Sequence, residues 1–341
     1  MKTVILEQPG NFTLTDTDIP ANLPNDEALV KVHRIGVCGT DLHAFKGRQP
    51  FFSYPRILGH ELGVEILEVA PNRKGLKPGD RCTIEPYINC GECGPCLHGR
   101  PNCCTQLKVL GVSRDGGMRE QIQIPIRKLH KSETLSLEQL ALVETLCIGS
   151  HAVSRANPQP GEYALIIGAG PIGLAVLEFV NFSGAVPIMM DISANRLEFC
   201  LNRLGVAHTV NGADNPMEQI LGITHGDLPT FVFDATGNPN SMMASIQYLS
   251  NGGTLVFVGI FVGDFTLNDT EFHRRETTLL SSRNSSPSDF ARTIRLMESA
   301  KINTEPWISE IVSPERALDR FPYWTDPANG IIKAMINFSG V

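Results

Sequence analysis

The chain has 341 residues, 42% of them hydrophobic and 19% charged, enough for two domains with real cores. A formal net charge of -7 argues against nucleic acid or an anionic membrane surface as a general partner. Nine cysteines point to metal binding or buried thiols rather than disulfides if the compartment is reducing. The N-terminal Met1 to Leu6 turns polar at Glu7, unlike a secretion signal. The longest apolar stretch, Tyr163 to Leu177, is too short to span a bilayer and is broken by glycines, so a cytoplasmic protein is expected.

Residues 1 to 35 read as short strands, with turns at Pro9-Gly10 and Pro24-Asn25 and a strand at Ala28 to Val32. That strand leads to Cys38-Gly39-Thr40-Asp41-Leu42-His43 and then to Gly59-His60-Glu61. Cys38 and His60 supply a thiolate and an imidazole, the donors zinc prefers. Glu61 adds a carboxylate that either binds the metal or stands behind it. Three protein ligands and one open position make a catalytic zinc site. Cys38 or His60 alone would read as an ordinary partly buried residue; the rest of the chain changes that. Thr40 and His43 lie close enough in sequence to pass a proton outward from a hydroxyl at the metal.

Leu62 to Val69 and Cys82 to Ile84 read as further strands, and an irregular antiparallel barrel fits this half. Cys90, Cys93, Cys96 and Cys104 follow with the spacing C-x2-C-x2-C-x7-C. Four thiolates on a Gly-containing loop close a tetrahedron around zinc with no open position, which is a structural site. Cys103 is an alternative fourth ligand, although the spacing favours Cys104. Leu110-Gly111-Val112 and Gly116-Gly117 read as a hairpin, and Leu137 to Cys147 as a helix capped by Ser136. Glu144, near the end of that helix, is either a further zinc ligand or a solvated helix residue.

Tyr163 to Ile167 is a continuous apolar run, as expected of a strand buried on both faces. Gly168-Ala169-Gly170-Pro171-Ile172-Gly173 follows, then a helix at Leu174 to Phe182 and a strand from Val186 that ends at Asp191. This is G-x-G-x-x-G between strand and helix, with an acidic residue 18 positions past the last glycine. The glycines let the backbone approach a pyrophosphate at the helix N-terminus. Asp191 suits the adenosine ribose hydroxyls and repels a 2′-phosphate, which favours NAD. Arg196 nearby works in the opposite sense. Four more strands are predicted at Ala207 to Val210, Thr230 to Asp234, Thr254 to Val258 and Thr277 to Ser281, giving a doubly wound α/β sheet. Asp234 to Gly237 and Val258-Gly259-Ile260, just past strand ends, are candidates to line the nicotinamide half, or are simple turns. Ser288 to Ala300 reads as a helix, after which the chain rejoins the first domain.

Together these motifs resemble the zinc-dependent medium-chain dehydrogenase/reductase (alcohol dehydrogenase) family over nearly the whole chain. The resemblance implies a GroES-like catalytic β-barrel domain over 1–147 and 283–341, and a Rossmann NAD-binding domain over 148–282. It places the active site in the cleft between them and implies two zinc ions per chain, NAD, and a homodimer or homotetramer. Glu144 matches a glutamate near the zinc of polyol-type members, with Thr145 where a proline usually follows. Val64 and Ala70 stand where glycines are frequent. Within the family the chain is similar to the threonine, sorbitol and sugar-acid dehydrogenases. Tyr54 to Glu61, Leu110 to Val112 and Ser281 to Asn284 look most like bacterial L-galactonate or L-gulonate oxidoreductases.

The expected reaction is reversible oxidation of a secondary alcohol to a ketone, on a sugar acid or polyol. Threonine or sorbitol oxidation is the alternative. Zinc lowers the hydroxyl pKa, NAD takes the hydride, and the proton leaves through Thr40, a ribose hydroxyl and His43. Asp41 is expected to hydrogen-bond His60. Lys46, Arg48, Arg56, Arg283 and Asn284 are candidate donors to a substrate carboxylate. A non-catalytic NAD-binding protein is the rival, but it has no chemical need for Cys38, Thr40, His43 and His60 together.

Overall fold

The computed structural model of the chain describes residues 1–50 and 52–339. The chain divides into two compact units, Met1–Glu144 with Ser286–Val341, and Thr145–Ser285. One division falls inside the helix Leu137–Ala156, nine residues longer than the predicted Leu137 to Cys147. Its start is fixed by a capping box. Gln139 N–H donates to Ser136 Oγ (3.1 Å), and Ser136 N–H donates to Gln139 Oε1 (2.9 Å).

The first unit is organised on a seven-stranded sheet. Its order is Ile308–Val312, Lys333–Asn337, Glu27–Gly36, Glu61–Val69, Arg81–Ile84 and Leu129–Lys131, with Gln121–Pro125 also paired to Glu27–Gly36. Every pairing but that of Ile308–Val312 with Lys333–Asn337 is antiparallel. Val30, Val32, Leu62, Val64, Ile66, Ile84, Ile122 and Ile124 fill the core beneath it. The helix Pro287–Glu298, where the chain re-enters this unit, is held by Phe290, whose ring stacks on His130 with centroids 4.8 Å apart. His130 in turn faces Glu85, which also pairs with the buried Lys128.

The hairpin expected over Leu110 to Gly117 does not form. That segment folds back on the loop before His60 instead. Gly116 N–H donates to the Ile57 carbonyl (2.7 Å), Gly117 to Gly59 (2.8 Å) and Met118 to Leu58 (2.9 Å). Gly111 N–H closes a tight turn on the Arg114 carbonyl (2.7 Å), so the amides of Gly116 to Met118 are left for the Ile57–Gly59 loop and fix its path.

In the second unit six strands form one wholly parallel sheet. Their order is His208–Asn211, Val186–Asp191, Tyr163–Ile167, Phe231–Asp234, Thr254–Phe257 and Thr278–Ser281. The order reverses beside Tyr163–Ile167, and that strand feeds the helix Pro171–Ser183 through the glycine turn. Gly173 cannot be replaced here: a Cβ on it would lie 1.7 Å from the Gly168 carbonyl oxygen.

Candidate functional site

The strands Glu27–Gly36 and Glu61–Val69 run antiparallel until Gly36 faces Glu61. Cys38 lies two residues beyond one end of this ladder and His60 one residue before the other, so the sheet itself brings them together. Donor atoms of Cys38, His60 and Glu61 lie within 4.8 Å of one another. His60 and Glu61 are buried, whereas Cys38 is half-buried. Thr40 and His43 ride on the short helix Gly39–Phe45 that Cys38 opens; Thr40 is half-buried and His43 exposed.

Asp41 acts differently from expectation. Its carboxylate accepts from the backbone N–H of Cys38 (2.9 Å) and of Gly59 (3.4 Å), tying together the two loops that carry the donors. His60 Nδ1 is 3.9 Å from Asp41 Oδ1, beyond hydrogen-bond reach, and this buried nitrogen has no hydrogen-bond partner among the described residues.

The site concentrates negative groups. Burial pushes the Asp41 and Glu144 carboxyls up, and Glu61 adds to the rise at both. Burial opposes charge on His60, yet Cys38, Asp41 and Glu144 hold its pKa well above the ordinary imidazole value. A soft and a borderline donor beside carboxylates, in a pocket that favours added positive charge, fit a zinc ion.

The second cluster is complete by itself. The Sγ atoms of Cys90, Cys93, Cys96 and Cys104 all lie within 4.8 Å of one another. Cys104 is buried, Cys90, Cys93 and Cys96 are half-buried, and Cys103 is exposed. Backbone N–H groups of Cys90 and Gln106 point at Cys104 Sγ (3.3 Å each), and that of Cys93 at Cys90 Sγ (3.4 Å). Backbone hydrogen bonds from Thr105 and Cys96 bring the Cys93 thiol down to about 6. Amides directed at sulfur stabilise thiolates, the form in which cysteine binds metal.

In the second unit Asp191 Oδ2 accepts from Ala169 N–H (2.7 Å) and Oδ1 from Ser193 N–H (2.8 Å). The carboxylate thus braces the glycine turn from the end of the adjacent strand. Gly170 caps the helix Pro171–Ser183, and a Cβ built on it would lie 3.1 Å from Arg196 Nη1. Arg196 therefore stands at the turn where a pyrophosphate would sit, with Pro171 and Ile172 in the first helical turn. Val258 and Gly259 both donate to the Asp234 carbonyl (2.9 and 3.0 Å), and Ile260 is exposed.

Two sequence families match. One is described as "Alcohol dehydrogenase GroES-like domain", over residues 24–134, and the other as "Zinc-binding dehydrogenase", over 171–299. The chain belongs to the zinc-type medium-chain alcohol dehydrogenase family. It is 40% identical over 306 residues to an L-galactonate-5-dehydrogenase of Escherichia coli K12, covering 89% of each chain. A similar solved structure is an Escherichia coli CFT073 alcohol dehydrogenase complexed with NADH, with TM-score 0.92, 26% identity and 99% coverage of both chains. Another is a zinc-binding dehydrogenase of Sinorhizobium meliloti bound to NADP, with TM-score 0.90, 28% identity and 98% coverage of both.

Two residues of this dehydrogenase escaped sequence reasoning. Lys333, 1% exposed, puts Nζ 2.8 and 2.7 Å from the two Glu61 carboxylate oxygens and 3.3 Å from the Val37 carbonyl. It reaches Glu61 from the far side of the strand Glu27–Gly36, which lies between their two strands. Gly36 makes that possible, because a Cβ there would come within 2.1 Å of Glu61 Oε2. The second is the buried Tyr87, whose hydroxyl donates to Glu144 Oε1. Glu144 is buried beside the metal ligands but is not one of the set within 4.8 Å.

Of the cationic candidates, Lys46 donates to the Thr325 carbonyl, and Arg56 binds Asp115 (3.1 Å) and Ser53 (2.8 Å). Both are committed to the fold. Arg48 and Arg283 are exposed, and Asn284 Nδ2 is buried without a hydrogen-bond partner among the described residues.

Proposed function

We propose that this dehydrogenase oxidises a secondary hydroxyl of a sugar acid or polyol, with zinc and NAD. The observation that carries this reading is the Cys38–His60–Glu61 donor set in a chain 40% identical to an L-galactonate-5-dehydrogenase. Cys38, His60 and Glu61 would hold the catalytic zinc, with Glu144 beside them, and Cys90, Cys93, Cys96 and Cys104 a structural one. The catalytic zinc, when bound, supplies Lewis-acid polarisation of the substrate hydroxyl, and NAD accepts a hydride. The first unit, extended to residues 147 and 283, is assigned to catalysis and the remainder to the cofactor.

Thr40 and His43 are assigned to the proton. Thr40 stands two residues from Cys38 and passes the proton away from the hydroxyl. His43 is exposed, and its pKa is lowered by local desolvation and by Lys46 and Arg48. The lowering favours its neutral form, which can accept the proton and release it to water. Gly168, Gly170, Pro171, Ile172 and Gly173 would carry the pyrophosphate with Arg196 beside it. Val258, Gly259 and Ile260 are assigned to the nicotinamide half. The negative Asp191 favours NAD over NADP. A homodimer or homotetramer in the cytoplasm completes the reading.

The test is a comparison of specificity constants with NAD for L-galactonate, L-gulonate, sorbitol, L-threonine and 2-butanol. A carboxylated sugar should lead. Sorbitol or L-threonine in first place would keep the branch and change the substrate. If 2-butanol leads, the polyhydroxylated substrate is wrong.

A further inference from the structure

The metal site contains more carboxylate than three protein ligands and one open position need. Glu61 lies in the set with Cys38 and His60 and is held by Lys333. Glu144 is 3% exposed, close enough to interact electrostatically with His60 and Glu61, yet it lies outside that set. Its Oε1 accepts the Tyr87 hydroxyl. Tyr87 is 3% exposed and comes from the short strand Tyr87–Ile88, which pairs with Lys108–Val109 rather than with the main sheet. A buried carboxylate next to a dication has a strong incentive to bind it. Something must hold this one back if the fourth position is to stay open to substrate.

We infer that Tyr87 is a positioning residue that tethers Glu144 outside the zinc ligand set and so keeps the substrate position free. The inference rests on the reading of Cys38, His60 and Glu61 as zinc ligands. Removing only the phenol oxygen, in Tyr87→Phe, frees Glu144 to turn onto the metal and compete with substrate. KM should then rise about tenfold, the order of effect that one hydrogen bond to a charged group carries, with a smaller change in kcat. Metal at this site should also be lost more slowly.

The experiment uses full-length protein with cobalt(II) at the Cys38 site, whose visible absorption reports ligand number. Wild type and Cys38→Ser come first. Identical cobalt spectra for these two would remove the site reading itself, whatever Tyr87 does. With that reading standing, Tyr87→Phe should weaken the ligand-field bands, as an added ligand does, and slow cobalt release to a chelator. In a Glu144→Gln background the same substitution should leave spectrum, release and KM unmoved. Glu144→Gln alone should keep the wild-type spectrum. A changed spectrum in Glu144→Gln would place Glu144 on the metal already and overturn the proposal, even if Tyr87→Phe failed to fold. Wild-type spectrum and release in Tyr87→Phe would overturn it too, as would effects that persist without Glu144.

Discussion

Replacing Lys333 by methionine keeps the volume of the side chain and removes its charge. Lys333 and Glu61 are each about 1% exposed in their side chains, and the ammonium lies 2.8 and 2.7 Å from the two carboxylate oxygens. Water cannot take over that solvation. Removing one partner of a buried pair costs about 3–5 kcal/mol, because the other charge is left uncompensated. At about 2–4 °C per kcal/mol for a unit of this size, metal-free Lys333→Met should melt roughly 6–20 °C below metal-free wild type. Adding Glu61→Leu should recover most of the loss, since it removes the stranded charge. Thermal unfolding of the metal-free proteins, followed by circular dichroism in one chelating buffer, measures all three. If Lys333→Met melts within a degree or two of wild type, or the double variant melts as low as the single, the pair does not carry the energy assigned to it.

Three further outcomes are expected. Wild-type protein should hold about two zinc ions per chain; Cys104→Ser should hold about one and lose thermal stability, and Cys103→Ser should do neither. Unchanged metal content in Cys104→Ser would mean that Cys103 replaces it. Asp191→Ala removes the acceptor for Ala169 and Ser193 N–H, so NAD affinity should fall about ten- to hundredfold while the preference over NADP narrows; a wild-type preference for NADP would refute the assignment. Burial pushes the half-buried Glu178 up to about 7, so between roughly pH 4.3 and 7 the unfolded chain has ionised this group while the folded one keeps its proton. Stability from this group is thus full below that window and lost as pH rises through it. Glu178→Gln should be more stable than wild type by up to about 3 kcal/mol at pH 8 and equal to it near pH 4, and a difference independent of pH would refute this.

The second unit was the more legible half, and the reason is periodicity. A strand buried on both faces must be apolar throughout, so Tyr163 to Ile167 announced itself, and the observed strand has the same limits. The remaining parallel strands begin and end within a residue of expectation at His208–Asn211, Phe231–Asp234, Thr254–Phe257 and Thr278–Ser281. Leu110 to Gly117 failed as a hairpin because a glycine-rich segment carries no record of which backbone it will pair with. The Leu137–Ala156 helix overran its predicted end because Ile148 to Ala156 holds no proline, and its one helix-disfavouring glycine, Gly149, is where the helix packs so closely on Ala175 that a Cβ would lie 2.3 Å from that backbone.

At the metal, the donors were legible and what controls them was not. Cys38, His60 and the four clustered cysteines are types whose chemistry is itself the signal, and spacing adds the rest. Lys333 and Tyr87 are ordinary residue types, separated in sequence from the carboxylates they hold, and only the fold joins them. Lys333 did leave a trace, for it opens the strand Lys333–Asn337 just before the apolar Ala334 to Ile336, and all but the last residue of that strand are buried. A lysine there must be paired inside or break the strand, so it calls for a buried acid. Glu61 is that acid, and the glycine opposite it at Gly36 leaves the room through which the lysine arrives. The three residues therefore act as one device. Even an alanine at position 36 should displace the Glu61 carboxylate, because its Cβ would lie 2.1 Å from Glu61 Oε2.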